Sequence, residues 1–231
     1  MSKTLLIDGD NLFKIGFHGV KELYSDGSHI GGVYHFINTI RKFLEEHNHD
    51  KVVVFWDGDS NSSIRKGLYP QYKANRRQDM NEYKYESYLY QQSRVKQYLE
   101  EIFVRQVEMQ NNEADDLIAY YCKISENELK TIFSSDADLT QLISEKVKVY
   151  SPLLKVTYKL GDKIKVRIEL RVDRDMNYVH MKDMRAAGFE PVNVFSGYKW
   201  QDGLGYYEST RDAATNFFFS YLNKGTYVFE Y

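Results

Sequence analysis

The sequence has a single cysteine, Cys122, so no disulfide can form within the chain. It also has no long apolar run near its N-terminus, where residues 5–7 are apolar and an aspartate follows at once. The apolar core of a signal peptide and a membrane span both need far longer runs. We therefore expect a soluble, cytoplasmic protein with no membrane partner, and we assign Cys122 no catalytic role.

An excess of positive charge is also lacking. Lys and Arg number 31 against 33 Asp and Glu, a net charge of −2, which argues against a simple basic nucleic-acid binder. Residues 1–158 carry 23 acids and 20 bases, and seven of those acids fall in the short motifs described below. Outside these motifs the segment is basic, so a basic surface around an acidic pocket is expected.

The apolar residues of the first part alternate between strand and helix patterns. Residues 4–7 and 52–56 are short β-branched runs that each end in an aspartate, typical of buried parallel strands, and residues 31–44 between them have helical spacing. Further helices are predicted at 81–102, 113–124 and 138–144, and further strands at 130–134 and 147–150. This order predicts an α/β fold with a parallel sheet flanked by helices.

Carboxylates follow the predicted strands, at the edge of a parallel sheet where ligands bind. At about 4 Å, two such charges repel by about 4 kcal/mol even at an effective dielectric of 20, so the cluster needs cations or protons. Hard oxygen ligands favour Mg²⁺ or Mn²⁺, and two ions are suited to phosphodiester hydrolysis. The candidate catalytic and metal-binding residues are Asp8, Asp57, Glu113, Asp115, Asp116, Asp136 and Asp138.

Each of these acids alone has an ordinary structural explanation. An aspartate after a strand is a common N-cap or turn residue. The run at residues 113–116 also fits the preference for acids in the first turn of a helix. The functional interpretation therefore depends on their joint appearance at the ends of several strands.

Five motifs then give a specific resemblance: residues 6–11 (Leu-Ile-Asp-Gly-Asp-Asn), 54–58 (Val-Phe-Trp-Asp-Gly), 69–76 (Tyr-Pro-Gln-Tyr-Lys-Ala-Asn-Arg), 112–116 (Asn-Glu-Ala-Asp-Asp) and 135–139 (Ser-Asp-Ala-Asp-Leu). Through residue 158 their order and spacing resemble the 5′–3′ exonuclease and flap endonuclease family. The resemblance implies a PIN-like fold, cleavage of nucleic acid at 5′ ends or flaps, and Mg²⁺ or Mn²⁺ as cofactor. It also implies a metal-site role for the seven acids.

A basic segment rich in tyrosine follows the second motif. Cations there can hold phosphates while bases stack on the rings. In the family the matching stretch forms an arch over the active site, and Lys73 and Arg76 match the motif nearest the scissile phosphate. A solvated helix face stays open as the alternative for any single tyrosine. The predicted nucleic-acid-binding residues are Arg65, Lys66, Tyr72, Lys73, Arg76 and Arg77.

Beyond residue 158 the sequence departs from that family, with no glycine-rich helix–hairpin–helix and no further aspartate pair. Residues 163–172 alternate as a strand does, and more strands are predicted at 192–195, 216–221 and 225–231. We predict a small, mainly β domain over 159–231 after a nuclease-like domain over 1–158. The runs at 175–191 and 206–219 resemble the C-terminal β-sandwich of bacterial α2-macroglobulin-like proteins, so the chain is interpreted as a fusion. His180 is interpreted as structural.

Three functions remain open from the sequence. The first is a metal-dependent 5′-nuclease of DNA replication or repair, with flaps, 5′ ends or RNA–DNA hybrids as partners. The second is a related domain that binds nucleic acid without cutting it. The third is an interaction module in which the β tail decides the role.

Overall fold

The computed structural model describes residues 1–20, 24–25, 28–71, 82–185 and 189–231. The chain divides into two compact units, Met1–Leu160 and Gly161–Tyr231. None of the described helices has the length and apolarity needed to cross a membrane. The division into a nuclease-like domain over 1–158 and a β-rich domain over 159–231 stays a prediction.

The first unit is built on a six-stranded sheet. Its strands follow the order β5-β4-β1-β6-β7-β8, in which only the last pair is antiparallel. The strands are β1 (Lys3–Asp8), β4 (Lys51–Trp56), β5 (Arg105–Glu108), β6 (Leu129–Phe133), β7 (Val147–Ser151) and β8 (Val156–Tyr158). A separate two-stranded ribbon consists of β2 (Tyr24–Ser25) and β3 (Ser28–His29).

Helices cover both faces of this sheet. Leu5 and Ile7 of β1 pack with α1, α2 and α4 in one core cluster, and Leu6 between them packs with α5 in another. A strand buried on both faces is the parallel-sheet pattern, so the predicted α/β architecture is confirmed. The helices are α1 (Gly9–Gly19), α2 (Gly31–Glu46), α3 (Ser63–Leu68), α4 (Glu82–Glu101), α5 (Ala114–Ile124) and a 3₁₀ helix (Ala137–Leu142).

Some elements of the first unit differ from the sequence-based expectation. Helix α1 was not predicted, because it begins directly after β1 with Asp8 as its N-cap. The predicted helix at 138–144 is the shorter 3₁₀ helix, which Asp136 caps. Cys122 is half-buried on α5, and burial raises the pKa of its thiol to about 11, which disfavours a reactive thiolate.

The second unit has two antiparallel sheets, ordered β10-β13-β12-β11 and β14-β9. Residues from both sheets, among them Val172, Tyr206, Phe217, Phe219 and Phe229, form one core. This is the predicted mainly β region with sheets packed face to face. Its strands are β9 (Arg167–Val172), β10 (Met176–Met184), β11 (Gly197–Gln201), β12 (Leu204–Arg211), β13 (Ala214–Leu222) and β14 (Gly225–Glu230).

Two strand predictions in the second unit need correction. The strand expected from residue 163 begins only at Arg167. The strand expected at 192–195 is wrong: that segment forms no strand, Val192 and Phe195 are exposed, and the next strand begins at Gly197. A short apolar run forms a strand only if a neighbouring strand pairs with it. The local sequence does not show whether such a partner exists.

Candidate active site

Asp8 is the last residue of β1 and the N-cap of α1. Its Oδ1 accepts a hydrogen bond from the backbone N–H of Asn11 (3.1 Å), and its Oδ2 accepts one from the Ser134 hydroxyl (2.9 Å). The side chain is thereby fixed between the ends of two adjacent parallel strands, β1 and β6. It lies at the carboxyl edge of the sheet, where the sequence predicted it.

Asp10 is the acid of this site that the sequence prediction missed. It is buried in the first turn of α1, where its Oδ2 accepts a hydrogen bond from the backbone N–H of Asp57 (2.7 Å). Its Oδ1 accepts a second hydrogen bond from the Gln92 amide of α4 (2.8 Å). The signal was present in the first motif, where Asp10 follows Asp8 by two residues.

The pKa values show that these buried carboxylates resist ionisation. Burial is the main cause that raises the pKa of Asp8 to about 7, and the negative charges of Asp10 and Asp57 add to the rise. The hydrogen bonds from Asn11 and Ser134 lower this pKa but do not offset the rise. The pKa of Asp10 is also raised, again chiefly by burial. A nearby cation would offset this cost of holding both groups charged.

Asp57 begins the loop after β4 and contacts the start of α5. The Asp57 carboxylate accepts a hydrogen bond from the backbone N–H of Ala114 at the start of that helix (2.9 Å). Gly58 donates to the carbonyl of Asn112 (3.0 Å), and a Cβ at position 58 would lie 1.8 Å from the carbonyl oxygen of Met109. The backbone at Gly58 is therefore in direct contact with the backbone of residues 109–112. This contact places Asp57 against α5.

Arg65 of α3 contacts all three acids at the start of α5. Its Nη1 lies 2.5 Å from the carboxylate of Glu113, whose side chain is only 4% exposed. Its Nη2 lies 2.7 Å from Asp116 and 3.9 Å from Asp115. Burial raises the pKa of Asp115, with Asp116 adding to the rise and Arg65 opposing it. Arg65, predicted to bind nucleic acid, thus contacts acids that were predicted to bind metal.

Asp136 and Asp138 lie just after β6. Both are exposed, and Asp136 accepts a hydrogen bond from the backbone N–H of Asp138 (2.9 Å). The backbone N–H of Asp136 donates to the Ser134 hydroxyl (3.1 Å), which itself donates to Asp8. Ser134 therefore connects this acidic turn to the buried Asp8.

The acids share one edge of the sheet but form separate groups. Among the described residues, no group of three or more His, Cys, Asp or Glu has an arrangement that could hold a metal ion. The hydrogen bonds link Asp8 to the 136–138 turn and Asp10 to Asp57, while the α5 acids gather around Arg65. The assignment of the seven predicted acids as metal ligands stays a prediction.

The predicted nucleic-acid-binding residues fall partly outside the description. Lys66 is exposed on α3, beside Arg65. Tyr72, Lys73, Arg76 and Arg77 lie outside the residues that the structure describes.

Two solved structures of T5 proteins have a similar fold. The T5 D15 protein co-crystallised with metal ions is 22% identical with a TM-score of 0.56, covering 69% of this chain and 58% of that chain. The T5 5′-exonuclease with bound zinc is 20% identical with a TM-score of 0.57, covering 69% of this chain and 59% of that chain. At these identities the likeness shows the fold of the first unit.

Two curated relatives each match a little under two thirds of the chain. DNA polymerase I of Bacillus subtilis is 30% identical over 151 residues, which are 64% of this chain and 16% of the polymerase. A 5′-3′ exonuclease of Halalkalibacterium halodurans is 34% identical over 155 residues, 61% of this chain and 48% of the relative. The chain thus matches about half of that exonuclease and less than a fifth of the polymerase.

Two family models match the sequence. The bacterial α2-macroglobulin MG10 domain matches residues 132–231, which overlaps the end of the first unit and gives the resemblance of the tail weak support. The N-terminal resolvase-like domain of 5′-3′ exonucleases matches residues 3–171, well over half of the chain. The chain belongs to the family of 5′-3′ exonuclease N-terminal domains.

Proposed function

We propose that this protein is a metal-dependent 5′–3′ exonuclease and flap endonuclease that hydrolyses DNA phosphodiesters in replication or repair. The observation that carries the proposal is the pair of buried carboxylates, Asp8 and Asp10, at the carboxyl edge of the parallel sheet. Burying two acids close to Asp57 is costly for the fold alone. The cost is reasonable if the site has to attract divalent cations.

The donor set fits Mg²⁺ or Mn²⁺, because every candidate ligand is a carboxylate oxygen. Asp8, Asp10, Asp57, Asp136 and Asp138 would hold the ions directly or through water, and two ions are expected. When bound, such ions favour deprotonation of an attacking water and stabilise the leaving oxygen. Within the chain, Ser134 and Gln92 orient the buried carboxylates through their hydrogen bonds to Asp8 and Asp10.

Arg65 has a different role from the other predicted cations. Glu113, Asp115 and Asp116 position its guanidinium group at the edge of the site, where it offsets their charge. These acids then act by placing charge and water rather than as primary ligands. Contacts to the phosphate are assigned to Lys66, Tyr72, Lys73, Arg76 and Arg77, with Arg65 beside them.

The partners and the setting are part of the same proposal. The substrates are DNA flaps, DNA 5′ ends or RNA–DNA hybrids, and the compartment is the cytoplasm. Residues 159–231 form a macroglobulin-like β domain joined to the nuclease domain.

A second function, binding of nucleic acid without cleavage, is favoured by one observation. The described acids do not converge as three ligands around one point, and Arg65 already forms ion pairs with those at the start of α5. In this case the protein would hold a flap or 5′ end through its cations, with an affinity that falls steeply with salt.

Cleavage of a 5′-labelled flap by the purified protein, with Mg²⁺, Mn²⁺ or EDTA, tests the proposal. We expect product only with a metal ion. Asp8→Asn keeps an N-cap side chain and Asp10→Asn keeps the shape, yet each removes a charge, so turnover should fall at least about a hundredfold. The matched control is Asp59→Asn, which changes an exposed acid in the loop after β4. This variant should cleave normally.

Two results would count against the nuclease proposal. Binding of the flap without product in either metal ion would favour the non-cleaving function. Product that survives in both Asp8→Asn and Asp10→Asn would place the chemistry elsewhere. Asp136→Ala adds a further check, because we expect it to lose far more turnover than DNA affinity.

A further inference from the structure

The second unit carries a row of aromatic side chains across its four-stranded sheet. His180 of β10 is paired in register with Phe218 of β13, Phe218 with Tyr207 of β12, and Tyr207 with Tyr198 of β11. The rings of His180 and Phe218 are stacked, with centroids 4.6 Å apart and planes 9° apart. Those of Tyr198 and Tyr207 meet edge to face, with centroids 5.0 Å apart and planes 72° apart. We call these four residues the aromatic row.

The aromatic row lies on the outer face of the sheet. Tyr206, Phe217 and Phe219 form the core between the two sheets, so their strand neighbours Tyr207 and Phe218 point the opposite way. Tyr198 is 86% exposed. Phe218 is 44% exposed and Tyr207 is half-buried, so the row keeps a substantial apolar area in contact with water.

Trp200 extends this surface beside the row. It is paired with Gly205 of β12, and a Cβ on Gly205 would lie 2.4 Å from the Trp200 ring. The glycine therefore lets the indole lie flat on the strand, while 76% of Trp200 remains exposed. A cavity of about 550 Å³ is lined by Trp200, Tyr198, Phe218 and their neighbours.

The charges of this face are of one sign. Lys182 and Arg211 are exposed at outward positions of β10 and β12. The acids of these strands face the core side, where Asp183 accepts a hydrogen bond from Tyr231 and the buried Glu208 pairs with Lys199. No outward position of the four strands, as far as the structure describes them, is Asp or Glu.

We propose that this face of the second unit binds single-stranded nucleic acid, with bases stacked on the aromatic row and Trp200, and phosphates held by Lys182 and Arg211. Rings that expose one face suit base stacking, and cations without competing carboxylates suit a phosphate backbone. A carbohydrate also stacks on such rings, and Asn216, 3.0 Å from the His180 ring, could hold a hydroxyl, but a neutral sugar gives Lys182 and Arg211 no phosphate to bind. The inference does not depend on catalysis by the first unit.

Trp200 provides a local readout of this binding, because the other tryptophan, Trp56, is 1% exposed in the first unit. The full chain is titrated in EDTA with a short oligodeoxythymidylate, and tryptophan fluorescence is recorded. We expect saturable quenching that disappears in Trp200→Phe. Tyr207→Thr and Phe218→Thr should each weaken the affinity from this signal at least about fivefold. Phe195→Thr, an exposed aromatic of the same unit outside the strands, should leave it unchanged.

Three outcomes would overturn the inference. The first is no quenching by the oligonucleotide. The second is equal quenching by a strand without bases. The third is quenching by an oligosaccharide with no response to the oligonucleotide. Conversely, a shallower salt dependence in Lys182→Ala or Arg211→Ala would support phosphate contact. Quenching that persists while flaps stay uncut would separate this inference from the proposed nuclease activity.

Discussion

The guanidinium group of Arg65 lies 2.5 Å from the buried carboxylate of Glu113, across 48 residues of sequence. The same group contacts Asp116 and is close to Asp115, so one cation offsets part of the negative charge at the start of α5. Because Glu113 is almost fully buried, this ion pair offsets part of the cost of burying its charge. The contact ties α3 to α5 at the edge of the candidate site.

Arg65→Ala should therefore destabilise the first unit by about 3 kcal/mol, because it leaves a buried carboxylate without its cation. A divalent ion can take over part of the lost charge, so added Mg²⁺ should raise the melting temperature of Arg65→Ala more than that of the unaltered protein. Thermal unfolding with and without Mg²⁺ measures both effects. Lys66→Ala, the exposed neighbour, is the control and should behave like the unaltered protein. An unchanged melting temperature in Arg65→Ala would contradict this account.

Gly58→Ala should destabilise the first unit by at least about 2 kcal/mol, because the new methyl group would meet the backbone carbonyl of Met109, which cannot move freely. Gly67→Ala is the matched control: nothing lies near its Cβ position in α3, and alanine favours a helix by about 1 kcal/mol over glycine. Urea unfolding of the two variants should shift in opposite directions. If both variants shift in the same direction, the close contact between Gly58 and the Met109 carbonyl does not determine how an added methyl group affects stability.

Glu128 makes stability depend on pH in the acid range. Its carboxylate accepts hydrogen bonds from Lys51 (2.6 Å), Thr4 (2.8 Å) and Tyr121 (3.1 Å). These bonds, led by that of Lys51, lower its pKa below the ordinary 4.5. The contribution is therefore full above pH 4.5 and is lost as the pH falls through the lowered pKa.

Glu128→Gln should then cost about 1 kcal/mol at neutral pH, and this difference from the unaltered protein should shrink as the pH falls below 4.5. Denaturant unfolding at a series of pH values measures the difference. Glu126→Gln, an exposed nearby acid, should show no such trend. A difference that grew toward acid pH would have the wrong sign for a carboxylate with a lowered pKa.

Lys199 is the ion-pair partner of the buried Glu208 in the second unit. Its Nζ lies 2.7 Å from Oε1 of Glu208, whose side chain is only 3% exposed and whose Oε2 has no hydrogen-bond partner among the described residues. Lys199→Met should lower the free energy of unfolding by about 3 kcal/mol, because it removes the cation that pairs with a buried carboxylate. Adding Glu208→Leu to that variant should recover most of the loss. Near-ultraviolet circular dichroism during unfolding follows the effect, and a double variant no better than Lys199→Met would refute it.

The α/β class and the family could be predicted from the amino-acid sequence alone. Apolar runs that end in aspartate placed Asp8 and Asp57 at the ends of β1 and β4, because strand alternation and burial are local properties of the chain. The motif order also indicated the exonuclease family, which the family model confirms. The same local signals failed at residues 192–195, where no strand pairs with the apolar run.

Which of these residues come into contact depends on how the helices and loops pack. Asp10 is buried and accepts a hydrogen bond from the backbone N–H of Asp57. Arg65 contacts three acids about 50 positions away in the sequence. Both contacts arise because helix packing and loop contacts bring these residues together. The aromatic row exists only through the register of four strands, which brings His180, Tyr198, Tyr207 and Phe218 into one line. Pairing register depends on the burial of whole sheet faces, and so it is set by the packed core rather than by any local stretch of sequence.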